Sequence, residues 1–313
     1  MNIELCQEAL DFGAAARQAF EAAGGDELVQ RAEREPETRT LLVEPVLTAL
    51  GATQISPRES ADELEAAAAL CRSAGWWAAP YPVAEWLARP QGHDTGGLVV
   101  IGEGQPRAPV AGLDWPLAAT DLDGRRYEAA MKPSLEGARA THFVAELELT
   151  PAGSGAALDA ALVLTLSCWT LLGMLDRAMS LTRSHVLARE QFGQPLARFQ
   201  GVQFQLTEAE VERAGFEELA KYALWSLETH SPDATADALA LRLAALEAAD
   251  VVLRVSHQLH GAMGFCDEST LSWISRYSQP IRQLPWGVSG TLEKLSRVAG
   301  QQGIRGLFSQ TPS

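Results

Sequence analysis

The stretch that most constrains this chain is Ala160 to Leu175, AALVLTLSCWTLLGML, an apolar run bounded by Asp159 before it and by Asp176 and Arg177 after it. It sits within a longer Ala-rich segment, Ala156 to about Glu190, that reads as one helix apolar on most of its sides. A helix of that kind must be covered by lipid or by other helices. The run falls short of the roughly 20 residues that a bilayer requires, so the expectation is a helix buried inside a bundle.

The rest of the chain supplies the covering helices. Leu5, Ala9, Phe12, Ala16 and Phe20 recur at helical spacing, and Gly24-Gly25 closes that run. A second helical run covers Glu37 to Leu50 with Gly51 to end it, and a third starts at Ser60, whose spacing to Glu63 is that of a capping box. Beyond the long apolar segment, a loop at Gly193-Gln-Pro195 separates it from helices over Phe199 to His230 and Pro232 to His260, with Gly261 as the cap. Further helices are expected from Ser269 to Tyr277 and from near Thr291. Between these helical parts, residues 76–153 hold half of the 16 prolines and two strand-like runs, Gly97–Ile101 and Thr141–Leu149. The fold expected is mainly α with a small β middle domain: an N-terminal helical domain over 1–75, a reduced β-rich domain over 76–153 and a C-terminal helical bundle over 154–313 of four or five antiparallel helices.

Charge and cysteine usage narrow the function classes. With 25 basic and 40 acidic side chains the formal charge is −15, which argues against nucleic acid or an anionic membrane as the main partner. Cys6, Cys71, Cys168 and Cys266 form no close pair, so neither a disulfide framework nor a zinc site is expected, and a reducing cytoplasm fits. The N-terminus lacks the basic start and apolar run of a signal peptide.

Two loops stand out chemically. In Arg189-Glu-Gln-Phe-Gly-Gln-Pro-Leu-Ala-Arg-Phe-Gln-Gly-Val-Gln203 an Arg closes the buried helix and a Phe and Gly turn the chain. An Arg fork suits a phosphate and a Phe can lie against a flat ring; equally, this is ordinary helix–helix connection chemistry. In Gln258-Leu-His-Gly-Ala-Met-Gly-Phe265 the small residues let a ligand approach the backbone and Gln258 offers hydrogen bonds; equally, this is a helix cap with tight packing. His257 and His260, three apart, have no carboxylate or Cys cluster beside them, so no metal is expected.

Taken together, in this order and spacing, and with Gly290-Thr291-Leu292-Glu293 opening the last helix, the two loops resemble the C-terminal helical domain of the acyl-CoA dehydrogenase family. The resemblance implies a flavoprotein of helical, β and helical domains that removes two hydrogens from an acyl-CoA thioester. A base, usually Glu, takes the α proton and the flavin of FAD accepts the β hydride. It also implies that Arg189, Gln191, Phe192, Gln258, Gly261 and Ala262 contact the pyrophosphate and adenosine half of a FAD held mainly by a neighbouring subunit. Ala262 stands where the family usually has Gly.

The departures are as informative. Where many members carry the catalytic Glu, directly before the Gly-Thr landmark, this chain has Ser289. The other family position for the base falls within Ala160–Thr165, which holds no carboxylate; Asp159 is the nearest. The family's flavin-ring segment is absent from 76–153. No catalytic residue is therefore assigned. The combination resembles the shorter subunit of heteromeric, α2β2 acyl-CoA dehydrogenases that shorten steroid side chains as CoA thioesters. That implies an acyl-CoA substrate, a steroid-CoA in particular, a longer acyl-CoA dehydrogenase subunit in a heterotetramer, and an electron-transfer flavoprotein or similar acceptor. Two alternatives stay open: a self-sufficient homo-oligomeric dehydrogenase with a relocated base, at Asp159 or in the middle section, and a non-catalytic scaffold that kept the fold.

Overall fold

The computed structural model describes residues 3–90, 95–132 and 143–302. The N-terminal part is helical: α1 (Gln7–Ala22), α2 (Asp26–Arg34), α3 (Arg39–Ala49), α4 (Ala61–Trp76) and α5 (Val83–Leu87). Five strands follow: β1 (Gly97–Val100), β2 (Arg107–Ala108), β3 (Leu117–Thr120), β4 (Arg125–Met131) and β5 (Ala145–Ser154). They form one sheet in the order β1-β3-β4-β5-β2. β1 runs parallel to β3, and the other neighbours are antiparallel. The C-terminal part holds α6 (Asp159–Ala188), a two-stranded hairpin β6 (Glu190–Gln191) and β7 (Gln194–Pro195), then α7 (Gln200–Glu228), α8 (Ala234–His260), α9 (Thr270–Gln283) and α10 (Val288–Gln302).

The apolar run folds as its composition demands. From Asp159 to Trp169 every residue of α6 is buried, whereas past Met174 and Leu175 burial thins to Ala178, Thr182 and Val186, one face only. The first half is therefore a central rod and the second half a surface helix that carries its C-terminus to an open end of the bundle. α6 is the one helix among the described residues long and apolar enough to cross a membrane, and 83% of that apolar window is buried. Against α4 it packs backbone to backbone. A Cβ on Gly75 would lie 1.9 Å from the Thr170 carbonyl oxygen, and one on Gly173 would lie 1.9 Å from that of Arg72. Only glycine permits this crossing. Beside it Arg72 donates to Asp176 and Glu217, and Arg213 donates to the same two carboxylates, all at 2.7–3.1 Å, which ties α4, α6 and α7 together.

Several local expectations hold. Ser60 caps α4 by accepting from the Glu63 N–H at 3.2 Å, and Gly51 and Gly261 take positive φ after their helices. Others differ. α2 has no counterpart among the expected helices, because its buried residues Leu28, Val29 and Ala32 are too few to set a period. The section from 76 onward opens on α5 rather than on strand, and Val83, Ala84, Trp86 and Leu87 of that helix are buried. The expected strand from Thr141 begins outside the described residues, and β5 starts later and continues to Ser154.

Candidate functional site

Two regions answer to the sequence expectations, and they differ in kind. The first is the end of the bundle where α6 and α8 finish. α7 returns antiparallel between them, so the two C-termini lie together: the imidazoles of His185, in the last turn of α6, and His260, in the last turn of α8, stack at 4.4 Å. The fold thus brings the two motifs to one place.

Each motif residue is exposed there. Arg189 caps α6 in an extended conformation, with its N–H on the His185 carbonyl and its own carbonyl accepting from Leu196. Among the described residues nothing pairs with its guanidinium. The hairpin pairs Glu190 with Pro195 and Gln191 with Gln194, leaving Phe192-Gly193 as a two-residue turn with φ of 53° and 80°. Positive φ at both positions is the turn that suits a hairpin, but it costs a phenylalanine about 1 kcal/mol. Phe192 is nevertheless 92% exposed, with its ring edge-on to Phe199 at 6.2 Å between centroids. A strained, solvent-facing aromatic ring beside an unpaired Arg is a pair of groups waiting for a ligand or partner.

The second motif continues the same surface. Gln258 is exposed on the last turn of α8. Gly261 turns the chain at φ 63° with nothing within 4 Å of where a Cβ would be, so its backbone is open to approach. Ala262 is exposed beside it, and Met263 and Phe265 follow at 56% and 68% exposure. The donor set (a free guanidinium, two exposed amides, an open glycine and a bare aromatic face) fits an adenosine diphosphate ester.

Beneath this surface the pair His257 and His260, weighed above only for metal, is joined by His185, which no local signal marks. His185 is lowered below the ordinary imidazole value by burial, and further by His260 and Arg189. His260 is lowered by burial against a hydrogen bond from its ring to the Ser256 carbonyl. His257, stacked on Phe265 at 4.3 Å, is lowered by burial, His260 and Arg282. No group of three metal-ligating residues exists among the described residues.

The second region is the junction of the three parts of the chain. It holds a narrow pocket with room for about 30 Å³, lined by Glu85, Val163, Leu164, Ser167, Arg242 and Pro285 among others. A companion of about 20 Å³ shares Glu85 and Ser167 and adds Tyr81, Phe143 and Tyr277. Such spaces hold two or so waters, and neither an acyl chain nor a tricyclic ring. Val163 and Leu164 belong to the stretch of α6 where the family resemblance looks for a base. The carboxyl that reaches the cavity comes instead from Glu85 of α5, pushed up to about 7 by desolvation. Arg242 is 2% exposed, donates to the Leu284 and Trp286 carbonyls and leaves its Nε without a partner. Ser289 lies exposed in the first turn of α10.

Asp159 is committed elsewhere. Only 2% exposed, it forms ion pairs with Arg58 at 2.7 Å and with Arg126, and accepts the Ala156 N–H. Arg58 also donates to the Ala88 and Arg89 carbonyls. Asp159 therefore pins the start of α6 to β4 and to the N-terminal part, and both its oxygens are occupied.

With this geometry in view, comparison with known proteins is specific. Residues 165–295 match the family described as Acyl-CoA dehydrogenase, C-terminal domain. The chain is 31% identical over 185 residues to the 3-sulfinopropanoyl-CoA desulfinase of Paraburkholderia xenovorans, a match covering 56% of this chain and 44% of that relative's length. Among solved structures, the ChsE4-ChsE5 complex of Mycobacterium tuberculosis superposes over 100% of both chains with a TM-score of 0.75 at 19% identity. A Tcur3481-Tcur3483 variant described as a steroid ACAD superposes with a TM-score of 0.73 at 19% identity, over 94% of this chain and 98% of its own. Over residues 165–295 the bundle is thus similar to an acyl-CoA dehydrogenase C-terminal domain. The chain as a whole has the fold of that family, whose members are FAD-binding oxidoreductases.

Proposed function

We propose that this chain is a subunit of a heteromeric FAD-dependent acyl-CoA dehydrogenase in which it supplies the pyrophosphate and adenosine half of a FAD site, while a longer partner subunit supplies the flavin-ring segment and the base. One observation carries the reading: among the described residues the motif end is open and its arginine unpaired, whereas the junction where this chain would need its own active centre has room for about 30 Å³ and no carboxylate from α6 or from position 289. In this reading Arg189 binds the pyrophosphate with charge-assisted hydrogen bonds. Phe192 covers the adenosine side, Gln191 and Gln258 orient it, and Gly261 with Ala262 lets the backbone approach. Bound FAD supplies the hydride acceptor; the chain's own residues hold and shield it. A steroid-CoA substrate in a heterotetramer, reoxidised by an electron-transfer flavoprotein or similar acceptor, is the fuller form of the proposal. It is supported by the likeness to a complex of two named chains and to a steroid ACAD, and a cytoplasmic location belongs with it.

A second reading, a self-sufficient homo-oligomer, draws on Glu85, the one carboxyl lining the narrow pocket and one poised near neutrality. Native mass spectrometry of the chain alone and with its co-expressed partner separates the two. One FAD per two chains, seen only in the mixed assembly, is the expected result. One FAD per chain in a homo-oligomer would sink the subunit proposal and make Glu85 the base to test.

A further inference from the structure

Under the motif surface imidazoles from two helices meet. His185 and His260 come from different helices and lie face to face at 4.4 Å with planes 21° apart. The Nδ1 of His260 is 2.9 Å from the Ser256 carbonyl oxygen. A carbonyl only accepts, so Nδ1 carries the proton and Nε2 is the atom free to take another. The charged groups acting on the cluster are Arg189 on His185 and Arg282 on His257, with the histidines acting on one another and no carboxylate taking part. Two stacked imidazoles beside a guanidinium cannot readily become cations, although both sit at helix C-termini that favour positive charge. The missing element is an anion.

We propose that the His185–His260 stack is a proton-linked floor of the diphosphate site, so that this chain takes up a proton when it binds an adenosine diphosphate diester. The inference rests on the reading that Arg189 and its neighbours hold that half of FAD. A diphosphate on Arg189 turns the local field from positive to negative, and an opposite charge nearby favours the imidazolium. The pair shares the proton, so the uptake belongs to the stack rather than to one ring. The sign follows by linkage. Free, the imidazoles are neutral above their lowered values; bound, they stay protonated to higher pH. Between those two values affinity weakens as pH rises, by up to about tenfold per pH unit for one proton.

The test uses the full chain and ADP-ribose, whose diphosphate is esterified at both ends and does not itself titrate near neutrality. Proton NMR follows the histidine ring signals across pH with and without millimolar ADP-ribose. His230, at the turn between α7 and α8, is the internal control. The expected result is that His185 and His260 titrate about one pH unit higher with ligand while His230 does not move. His185→Phe and, as a second variant, His260→Phe keep a ring in the stack and remove the proton. Each should bind ADP-ribose with a flattened pH profile. If ADP-ribose shifts the Phe192 ring signals while the histidine titrations stay put, the proton linkage is wrong and the nucleotide site stands. If both Phe variants keep the wild-type pH profile, the linkage is likewise overturned. If the Phe192 signals ignore ADP-ribose at every pH, the nucleotide site and the linkage fall together.

Discussion

The two ends of α6 teach opposite lessons. At its start the carboxylate is fully committed: Asp159 is held by two arginines and a backbone N–H, and the space beside Val163 and Leu164 is only about 30 Å³. At its finish the chain leaves an arginine without a partner among the described residues, a phenylalanine 92% exposed on a strained turn and a glycine with open backbone. Close packing is the default of a folded chain and needs no functional cause. Unpaired charge and exposed aromatic surface are the departures that do. On this ground the proposed function places the working surface at the finish of the helix and leaves the start as scaffold.

The largest effect expected is at the scaffold end. Asp159→Asn removes one partner from a buried cluster and leaves Arg126 and Arg58 facing each other, which should cost about 3 kcal/mol or more in denaturant unfolding. A loss below about 0.5 kcal/mol would mean the carboxylate is not the clamp described and would return it to the list of candidate bases. Next is Arg189→Ala at the functional end. A charge-assisted hydrogen bond is worth roughly 1.5–3 kcal/mol, so nucleotide affinity or FAD retention in the assembled protein should fall about tenfold to a hundredfold. Unfolding stability should stay within about 0.5 kcal/mol, since the side chain is exposed and unpaired. Unchanged flavin content would remove the contrast between the two ends.

How much of this was legible in the sequence depends on range. The central helix, the caps of α4 and α8 and the two loops could be read because each is encoded locally, in apolar periodicity, in Ser60 and Gly261, and in motif spacing. That both loops meet at one end follows from the antiparallel bundle, and the exposure of all six motif residues agrees with it. What could not be read is what depends on distant partners. Asp159 looks like a spare carboxylate until Arg58 and Arg126 arrive from 101 and 33 positions away. Glu85 gives no signal in a Pro-rich segment, because its burial is created by α6 and α9. His257 and His260 were visible as a pair on one helix, yet the partner that matters, His185, is on another.

Glu85 sharpens the comparison through pH. Its carboxyl is raised to about 7 by desolvation, from an ordinary value of 4.5. The unfolded chain therefore gives up this proton first, and stability falls as pH rises from about 4.5 to about 7, then levels. Glu85→Gln removes the penalty. At pH 8 the variant should be more stable than the parent by about 2 kcal/mol, after discounting for the residue's partial exposure, and the gap should close toward pH 4.5. Equal stability of the two proteins at both pH values would show a solvated carboxyl at its ordinary value, which removes the ground for Glu85 as the base of a self-sufficient enzyme.

The smallest effect is the most discriminating, because the two readings of the hairpin agree on stability and differ on binding. Phe192 occupies a position of φ 53° followed by Gly193 at 80°, the turn for which Asn-Gly is the favoured pair. Phe192→Asn should relieve the backbone strain and lose almost no burial, raising unfolding stability by about 0.5–1 kcal/mol. If the ring is there to cover an adenosine, the same change should weaken ADP-ribose binding several-fold. If the hairpin is only a connection between α6 and α7, stability rises and binding is untouched. A residue kept at a conformational cost, exposed, and missed only when a ligand is present would place the purpose of this end of the bundle outside the chain itself.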